Sequence, residues 1–212
     1  MKPPHKPDNK TANKEEQTLP PIEFVAQGSY SIHNPDNSQQ GEAWQAAEFR
    51  LGAHHQLISA DGAEAVRSHT LALLQQAQRS LCIYSYDLES WLYNHTCIQQ
   101  ACSTFLLASP KNTLRILVQD TTTITREGHT LLALCRRLSS RCSIRKVNLD
   151  YDHSDQHWLI VDDCGLLIRT TQHPYQGMVH YYNPARVLQN QRLFNAMWDV
   201  SRSDINLRSM PL

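Results

Sequence analysis

The chain has 212 residues, of which 41% are hydrophobic and 19% are charged, a composition typical of a folded globular protein and unlike disordered or fibrous sequences. Basic and acidic residues number 20 each, so the formal net charge is zero and no overall field directs the protein to nucleic acid or to an anionic membrane. Any anion-binding site must therefore be local.

The first 56 residues show little regular pattern. Residues 1–21 are rich in Pro, Lys, Asn and Glu and predict a disordered tail. Residues 22–56 predict an irregular arm, in which Glu42 to Phe49 either form a helical turn or lie on the domain, because Trp44 and Phe49 need apolar partners. The sequence shows no secretory signal, and no apolar run approaches the ~20 residues of a membrane-spanning helix. We therefore expect a cytoplasmic protein without a membrane span.

Residues 57–212 predict one α/β domain. Asp61 and Glu64 have the spacing of a helix N-cap and its N3 partner, which predicts a helix up to Arg79. The predicted elements that follow are a strand over 80–86, a helix over 96–107, a strand over 114–118, a helix over 127–138, a strand over 143–149, a hairpin of 158–161 with 166–169, and an amphipathic helix over 186–201. The strand, helix, strand order implies parallel pairing. We therefore expect a mixed, mostly parallel sheet flanked by helices.

The six cysteines are scattered along the domain without a CxxC pair, and several lie in apolar runs. They are Cys82, Cys97, Cys102, Cys135, Cys142 and Cys164. We interpret all of them as reduced thiols in the core. Zinc ligation is the weaker alternative, because the eleven histidines are equally dispersed. No metal and no cofactor are expected.

Three segments resemble the phospholipase D family. Residues 73–86 resemble its opening, where a helix runs into a buried strand, and residues 188–201 resemble the helix that ends many such domains. Between them, the family carries His-x-Lys-x-x-x-x-Asp followed, six residues on, by Gly-Ser-x-Asn. The same frame occurs here over residues 155–162 and 169–172. The resemblance covers about residues 57–201 and implies a single half of the phospholipase D-like fold.

The residues within this frame depart from the family. Asp155 stands at the position of the nucleophilic histidine and His157 at that of the lysine, while Asp162 is retained. In the second motif, Arg169, Thr170 and Gln172 replace glycine, serine and asparagine. The resemblance therefore implies a degenerate catalytic motif.

Phosphodiesterases of this family use covalent histidine catalysis and need two copies of the motif. This chain has one copy, so a competent family-type site would require a homodimer. The Asp155 residues of the two subunits would then face each other, and their carboxylates would repel a phosphate. In an offset alternative, His157 is the nucleophile and Asp163 or Asp162 its partner, but Leu159 then occupies the position of the lysine. His157 and Asp162 are therefore the candidate catalytic residues, and a structural role for His157 is the competing interpretation.

The candidate ligand-binding residues are Asp155, Arg169, Thr170, Gln172, Tyr86 and Asn183. Guanidinium and hydroxyl groups suit phosphate oxygens, whereas the simpler alternative for Arg169 is an ion pair. Tyr86 belongs, with Tyr84, Trp91 and Tyr93, to an aromatic group at and after a strand end, where α/β sheets place ligands, unless that group simply packs together. Asn183 also fits a helix cap before Pro184.

A further group of basic residues, between Arg136 and Lys146, indicates either contact with a nucleic-acid backbone or a solvated helix face.

Our leading hypothesis is a non-catalytic, phospholipase D-like domain in a cytoplasmic bacterial protein, acting as a binding module for a phosphorylated ligand or nucleic acid, with a homodimer as one arrangement. The alternative is a divergent, metal-independent phosphodiesterase or nuclease that uses His157. A third interpretation is an accessory segment of a larger system.

Overall fold

A computed structural model describes residues 43–148 and 155–202, together with Met1, Asp204 and Leu207. The predicted tail apart from Met1, residues 22–42 of the predicted arm and Leu149 of the predicted third strand lie outside the described residues.

The helices and strands follow the order expected of an α/β domain. They are β1 (Ile58–Asp61), α1 (Ala63–Gln76), β2 (Ser80–Ser85), α2 (Ser90–Tyr93), α3 (Thr96–Ala108), β3 (Thr113–Val118), α4 (Thr122–Glu127), α5 (Thr130–Arg137), β4 (Cys142–Lys146), β5 (Gln156–Val161), β6 (Gly165–Thr170), β7 (Gln176–His180) and α6 (Pro184–Val200). The short elements β1, β7, α2 and α4 were not predicted, because each has too few residues for a recognisable hydrophobic period.

The seven strands form one mixed sheet in the order β1-β7-β6-β5-β2-β3-β4. Only the β2–β3 and β3–β4 pairings are parallel, and the other four are antiparallel. The predicted α/β class and the mixed sheet are confirmed, whereas the expectation of a mostly parallel sheet is wrong. Short connections join β5 to β6 and β6 to β7, and such connections permit only antiparallel neighbours. The antiparallel β2–β5 and β1–β7 pairings join strands that are distant in the chain.

Helices cover both faces of this sheet. The helices α1, α3 and α5 bury one face, to which Ile83, Ile116 and Leu159 contribute. The helix α6 packs on the opposite face over β5 and β6, with Phe194 and Trp198 in a second apolar cluster. Because successive residues of a strand point to opposite faces, the parity of a strand residue fixes which cluster it joins.

Two helix starts differ from the predictions. Gly62, not Asp61, caps α1, because Asp61 pairs with Gln176 as the last residue of β1. The helix predicted over 127–138 begins only at Thr130, because Gly128 has a φ of 75° and separates α4 from α5. By contrast, Asn183 caps α6 as the sequence indicated: its side chain accepts a hydrogen bond from the Arg186 amide at 3.1 Å, and Pro184 follows at the first helical position.

The described part of the arm lies along α1. The Gln76 side chain accepts a hydrogen bond from the Leu51 amide and donates one to the Phe49 carbonyl, both at 2.8 Å. The Phe49 ring stacks on Tyr181 with 5.4 Å between ring centroids. Of the two arrangements considered for this segment, the structure has the arm that lies on the domain.

One disulfide joins Cys135 at the end of α5 to Cys142 at the start of β4. The prediction that all six cysteines are reduced is therefore wrong for this pair, and Cys82, Cys97, Cys102 and Cys164 are free thiols. No sequence pattern indicated this pair, because six residues separate the two cysteines and only the turn between α5 and β4 brings them together.

Within the described residues, no helix is both long enough and apolar enough to cross a membrane.

Candidate functional site

Three neighbouring strands place polar side chains on the same face at one end of the sheet. Ser85 is the last residue of β2, and His157 of β5 is directly opposite Arg169 of β6 in the strand register. All three have the parity of the face covered by α1, α3 and α5. This end also contains the carboxyl ends of the parallel strands, where α/β sheets place their ligand sites.

Glu89, from the loop between β2 and α2, supplies the acid at the centre of this group. The carboxylate oxygen Oε2 lies 2.7 Å from His157 Nδ1 and accepts a hydrogen bond from Ser85 Oγ at 3.3 Å. Arg169 binds the same carboxylate with both terminal nitrogens, Nη1 to Oε1 at 2.8 Å and Nη2 to Oε2. This fork is the bidentate geometry in which guanidinium and carboxylate interact most strongly. We call Glu89, His157 and Arg169 the buried triad.

The buried triad is shielded from solvent: only 8% of Glu89, 5% of His157 and 2% of Arg169 are exposed. Arg169 Nη1 also donates to the Pro174 carbonyl at 2.9 Å, and the guanidinium lies 5.4 Å from the centre of the Trp91 ring. The Trp91 indole NH donates to Glu89 Oε1 at 3.4 Å. The cation therefore has an acid, a carbonyl and an aromatic face as partners, and all of them belong to the chain itself.

The electrostatics follow from this pairing. Burial by itself would raise the pKa of Glu89, but hydrogen bonds and charge from Arg169 and His157 outweigh it and lower that pKa to about 2. Burial would lower the pKa of Arg169, yet the Glu89 carboxylate raises it. Burial raises the pKa of the neighbouring Tyr93 to about 12. At neutral pH the triad thus contains a carboxylate and a guanidinium that neutralise each other.

His157 has one nitrogen engaged and one not. Nδ1 faces the Glu89 carboxylate, whereas the buried Nε2 has no hydrogen-bond partner among the described residues. If Nδ1 carries the proton that binds Glu89, Nε2 presents a lone pair. A histidine oriented by an acid in this way is the arrangement of a general base or a nucleophile, although here Nε2 is enclosed.

The loop that carries Glu89 is held in an uncommon conformation. Leu88 is fully buried and has a φ of 61°, which costs a residue with a β-carbon about 1–2 kcal/mol. The Leu88 carbonyl lies 3.1 Å from His129 Nε2, and the Glu89 amide donates to Asp87 Oδ1 at 3.0 Å. The surrounding fold therefore fixes the position of Glu89 against a local conformational preference.

His129 is buried in a way that suits its neutral form. Its Nδ1 accepts a hydrogen bond from the Leu131 amide at 3.1 Å, capping α5, so the proton resides on Nε2 and faces Leu88. Burial lowers the pKa of His129 to about 4, despite the opposing effect of the Leu88 carbonyl. A second proton, on Nδ1, would replace this acceptor with a donor that faces the Leu131 NH.

The predicted site residues separate into two groups at opposite ends of the sheet. Asp155, Thr170, Gln172 and Tyr86 lie near the buried triad: Asp155 and Gln172 are exposed, and Tyr86 is 48% exposed. Thr170 accepts a hydrogen bond from the His173 amide at 3.3 Å. Asp162 and Asn183 lie at the other end, by the β5–β6 turn and the start of α6.

Asp162 closes a turn. Its carboxylate accepts hydrogen bonds from the amides of Gln78, Arg79 and Ser80 at 3.0, 2.7 and 3.0 Å. Its own φ is 53°, a conformation that aspartate tolerates better than most residues. Since β5 separates it from His157, the structure does not bring the two candidate catalytic residues together.

Glu89 and Ser85 were missed by the sequence analysis. Little in the sequence indicated either residue. Glu89 lies between Leu88 and Ser90-Trp91, among the aromatic residues that were expected to line a ligand site. Of those aromatics, Tyr84 and Tyr93 are buried, Trp91 contacts the buried triad and Tyr86 is exposed. The group is therefore largely packed into the core.

No group of three or more His, Cys, Asp or Glu side chains is placed to hold a metal ion in the part of the chain that the structure describes.

Similar solved structures include a chromatin protein, a phospholipase D family member and the protein NucT. The archaeal chromatin protein TrmBL2, described as showing a novel mode of DNA binding, matches with a TM-score of 0.55 and 13% identity over 74% of this chain and 56% of its own. Nuc from Salmonella typhimurium, a phospholipase D family member, has a TM-score of 0.49 and 14% identity, covering 70% of this chain and 96% of its own. NucT from Helicobacter pylori has a TM-score of 0.47 and 12% identity, covering 70% and 98%.

This chain thus spans little more than half the length of TrmBL2. A phospholipase D family member is among the structures to which it is similar. No curated protein sequence matches it. The sequence model described as "Domain of unknown function (DUF7931)" matches residues 62–210, and the chain therefore belongs to the DUF7931 family.

Proposed function

We propose that this chain is a non-catalytic, single-half phospholipase D-like domain with a degenerate motif, which acts as a binding or interaction module. One observation carries the proposal: two altered residues of the motif frame, His157 and Arg169, bind Glu89 in the buried triad, so their polar groups are engaged within the chain.

Arg169 illustrates the argument. It replaces a glycine of the family motif and is the largest of the fully buried side chains among the described residues. A phosphate could bind its guanidinium only by displacing Glu89, which would leave a carboxylate without a cation in a site of low dielectric. The cost of an unpaired buried charge is several kcal/mol, so Arg169 remains paired with Glu89 instead of binding a substrate.

Asp155 supports the same conclusion from the other motif position. Its exposed carboxylate stands where the family has a nucleophile and carries the charge that repels a phosphodiester. The edge formed by Tyr86, Asp155, Thr170 and Gln172 is a candidate surface only for a part of a ligand that carries no phosphate beside Asp155. The ligand class that we propose is a phosphorylated molecule or nucleic acid, a class that agrees with the DNA binding described for TrmBL2.

A divergent, metal-independent phosphodiesterase is the second candidate, and a specific observation favours it. His157 is oriented through Nδ1 by Glu89 at 2.7 Å, and its Nε2 has no hydrogen-bond partner among the described residues. Opening of the Trp91 side of the site would expose a histidine and an acid in the geometry of an activated nucleophile.

Hydrolysis assays separate the two candidates. Purified protein is incubated in chelator with a chromogenic phosphodiester and with single- and double-stranded DNA. The variants are His157→Gln and, as a matched control, His173→Ala, which alters an exposed histidine near the same edge. We expect no hydrolysis by any of the three proteins. Turnover that disappears in His157→Gln and persists in His173→Ala would establish the enzyme and refute the non-catalytic proposal.

The homodimer, the bacterial origin and the cytoplasmic location are further parts of the proposal. Light scattering coupled to gel filtration tests the dimer, and a monomer at micromolar concentration would exclude it. Co-purification from the native host tests the accessory interpretation, in which a stable partner is retained.

A further inference from the structure

In the part of the chain that the structure describes, α6 lies mainly over β5 and β6. The same face of β3 and β4 lies beside its flank, where Leu117 packs with Phe194 and Trp198. Arg115 of β3 and Ser143 and Arg145 of β4 point to this side and are half-buried. This strip of β3 and β4 therefore carries two half-buried cations beside the flank of α6.

The two arginines converge on one aromatic ring. The Arg145 guanidinium lies 4.3 Å from the centre of the Trp198 ring and that of Arg115 lies 5.5 Å from it. Arg115 is also 5.2 Å from Phe194, and Arg145 Nη1 donates to the Trp198 carbonyl at 2.9 Å. Within the described residues neither arginine forms an ion pair with an acid. Two like charges are thus held together with no ion-paired carboxylate among the described residues.

Cavities continue this strip in both directions along α6. At the helix start, a cavity of about 420 Å³ is lined by Arg79, Arg115, Leu188, Gln191 and Asn195, among others. At the helix end, a second cavity of about 520 Å³ is lined by Lys146, Asn148, Val200 and Arg202, among others. We call the strip and its two cavities the α6 groove.

Charge in the α6 groove is unevenly distributed. Its cations are Arg79, Arg115, Arg145, Lys146 and Arg202, and the exposed ones are Arg79, Lys146 and Arg202. Acids occur at its two ends: Asp162 and Asp163 line one, Asp204 lines the other, and Asp120 interacts there with Lys146. The Asp162 carboxylate is already occupied by three backbone amides. The middle of the groove is therefore positively charged in a chain whose formal net charge is zero.

We propose that the α6 groove binds the phosphate backbone of nucleic acid. This inference rests on the proposed function as a binding module and assigns it a surface. The 17 residues of α6 make the groove about 25 Å long, which corresponds to about seven nucleotides of one strand. Cations that line such a path neutralise successive phosphates and release counterions.

The recognition in the α6 groove is independent of base sequence. The nearby rings, Phe194 and Trp198, are buried under Arg115 and Arg145 and provide no open stacking platform for bases. Gln191 likewise directs its amide to Asn195 at 3.1 Å. The groove therefore binds the backbone and not the base edges.

The test is fluorescence anisotropy of labelled 20-nucleotide single strands and 20-base-pair duplexes over a series of salt concentrations. The groove variants are Lys146→Gln with Arg202→Gln, both at exposed positions, and Arg115→Gln with Arg145→Gln. The matched control is Arg50→Gln with Arg126→Gln, which removes the same charge from exposed positions outside the groove. Circular dichroism establishes that each variant is folded.

We expect the logarithm of affinity to fall with the logarithm of salt, with a slope that is shallower by about 2 in each folded groove double variant and unchanged in the control. Absence of binding by the wild type, or equal slopes in groove and control variants, would overturn the inference. The arms with single and double strands identify which form binds. The same oligonucleotides, recovered intact or cleaved, report separately on the non-catalytic proposal. Either proposal can therefore fail while the other stands.

Discussion

The substitution Glu89→Gln tests the central feature of the structure, the buried triad. It keeps the shape of the side chain and removes its charge, so Arg169, 2% exposed, becomes a buried cation without an anion. Removal of one partner from a buried ion pair costs about 3–5 kcal/mol. The pKa of Glu89 gives an independent value: a fall from 4.5 to about 2 corresponds to about 3 kcal/mol.

The assay is equilibrium urea unfolding followed by tryptophan fluorescence and circular dichroism. We expect Glu89→Gln to lower the free energy of unfolding at pH 7 by about 3–5 kcal/mol. The matched control is Glu127→Gln, which breaks the exposed pair between Glu127 and Arg126 and should cost less than about 1 kcal/mol. The double variant Glu89→Leu with Arg169→Met should cost clearly less than the sum of the two single changes, because it leaves no unpaired charge.

The pH dependence supplies the decisive outcome. The pKa of Glu89 is lower in the folded state, so its stabilising contribution is complete above pH 4.5 and is lost as the pH falls towards 2. Glu89→Gln should lack this part of the acid destabilisation. If the variant costs no more than Glu127→Gln, or if its stability falls with acid as steeply as that of the wild type, the buried triad does not hold the site together.

The remaining predictions concern His129, Asp162 and the disulfide. Because the pKa of His129 falls from 6.5 to about 4 on burial, stability should be complete above pH 6.5 and should decline as the pH falls to 4, by up to about 3 kcal/mol. His129→Asn, which keeps a capping oxygen, should reduce the pH dependence of the free energy of unfolding over that range, as measured by urea unfolding at each pH. An unchanged pH dependence would contradict this assignment. Asp162→Ala removes the acceptor of three backbone amides and should cost about 2–3 kcal/mol, whereas Asp163→Ala, at the exposed neighbour, should be nearly neutral. Equal thermal stabilities of these two variants would argue against a structural role for Asp162. Reduction of the Cys135–Cys142 disulfide, which closes a short loop with a sequence separation of 7, should lower stability by about 2 kcal/mol, and a Cys135→Ala, Cys142→Ala variant should be insensitive to reductant. Since disulfides are uncommon in the cytosol, thiol counting on protein from the native host also tests the predicted compartment.

Local sequence patterns were sufficient for much of the domain. The apolar runs at 80–86 and 114–118 predicted two strands, and both occur as a parallel pair. The hairpin of β5 and β6 was predicted from two apolar runs around Gly165, and Asn183-Pro184 predicted the start of α6. Each of these features depends on residues close together in the chain, so periodicity and turn chemistry are enough to indicate it.

The sheet order and the composition of the site depended on tertiary structure. The antiparallel pairing of β2 with β5 joins segments that are more than 70 residues apart, and no local pattern specifies which strands become neighbours. Glu89 reaches Arg169 across 80 residues and His157 across 68. The sequence could indicate that Arg169 would need a partner, but not which acid would supply it.

By itself, the sequence therefore determined the α/β class, most of the elements, the cap of α6 and the altered residues of the motif frame. Only the tertiary structure decided that Arg169 and His157 bind Glu89 and that Asp162 lies at the opposite end of β5 from His157. It also decided that Arg115 and Arg145 both contact the indole ring of Trp198. The physical reason is that burial and charge pairing arise from the whole fold: a side chain becomes a site or a support according to what the other strands and helices place beside it.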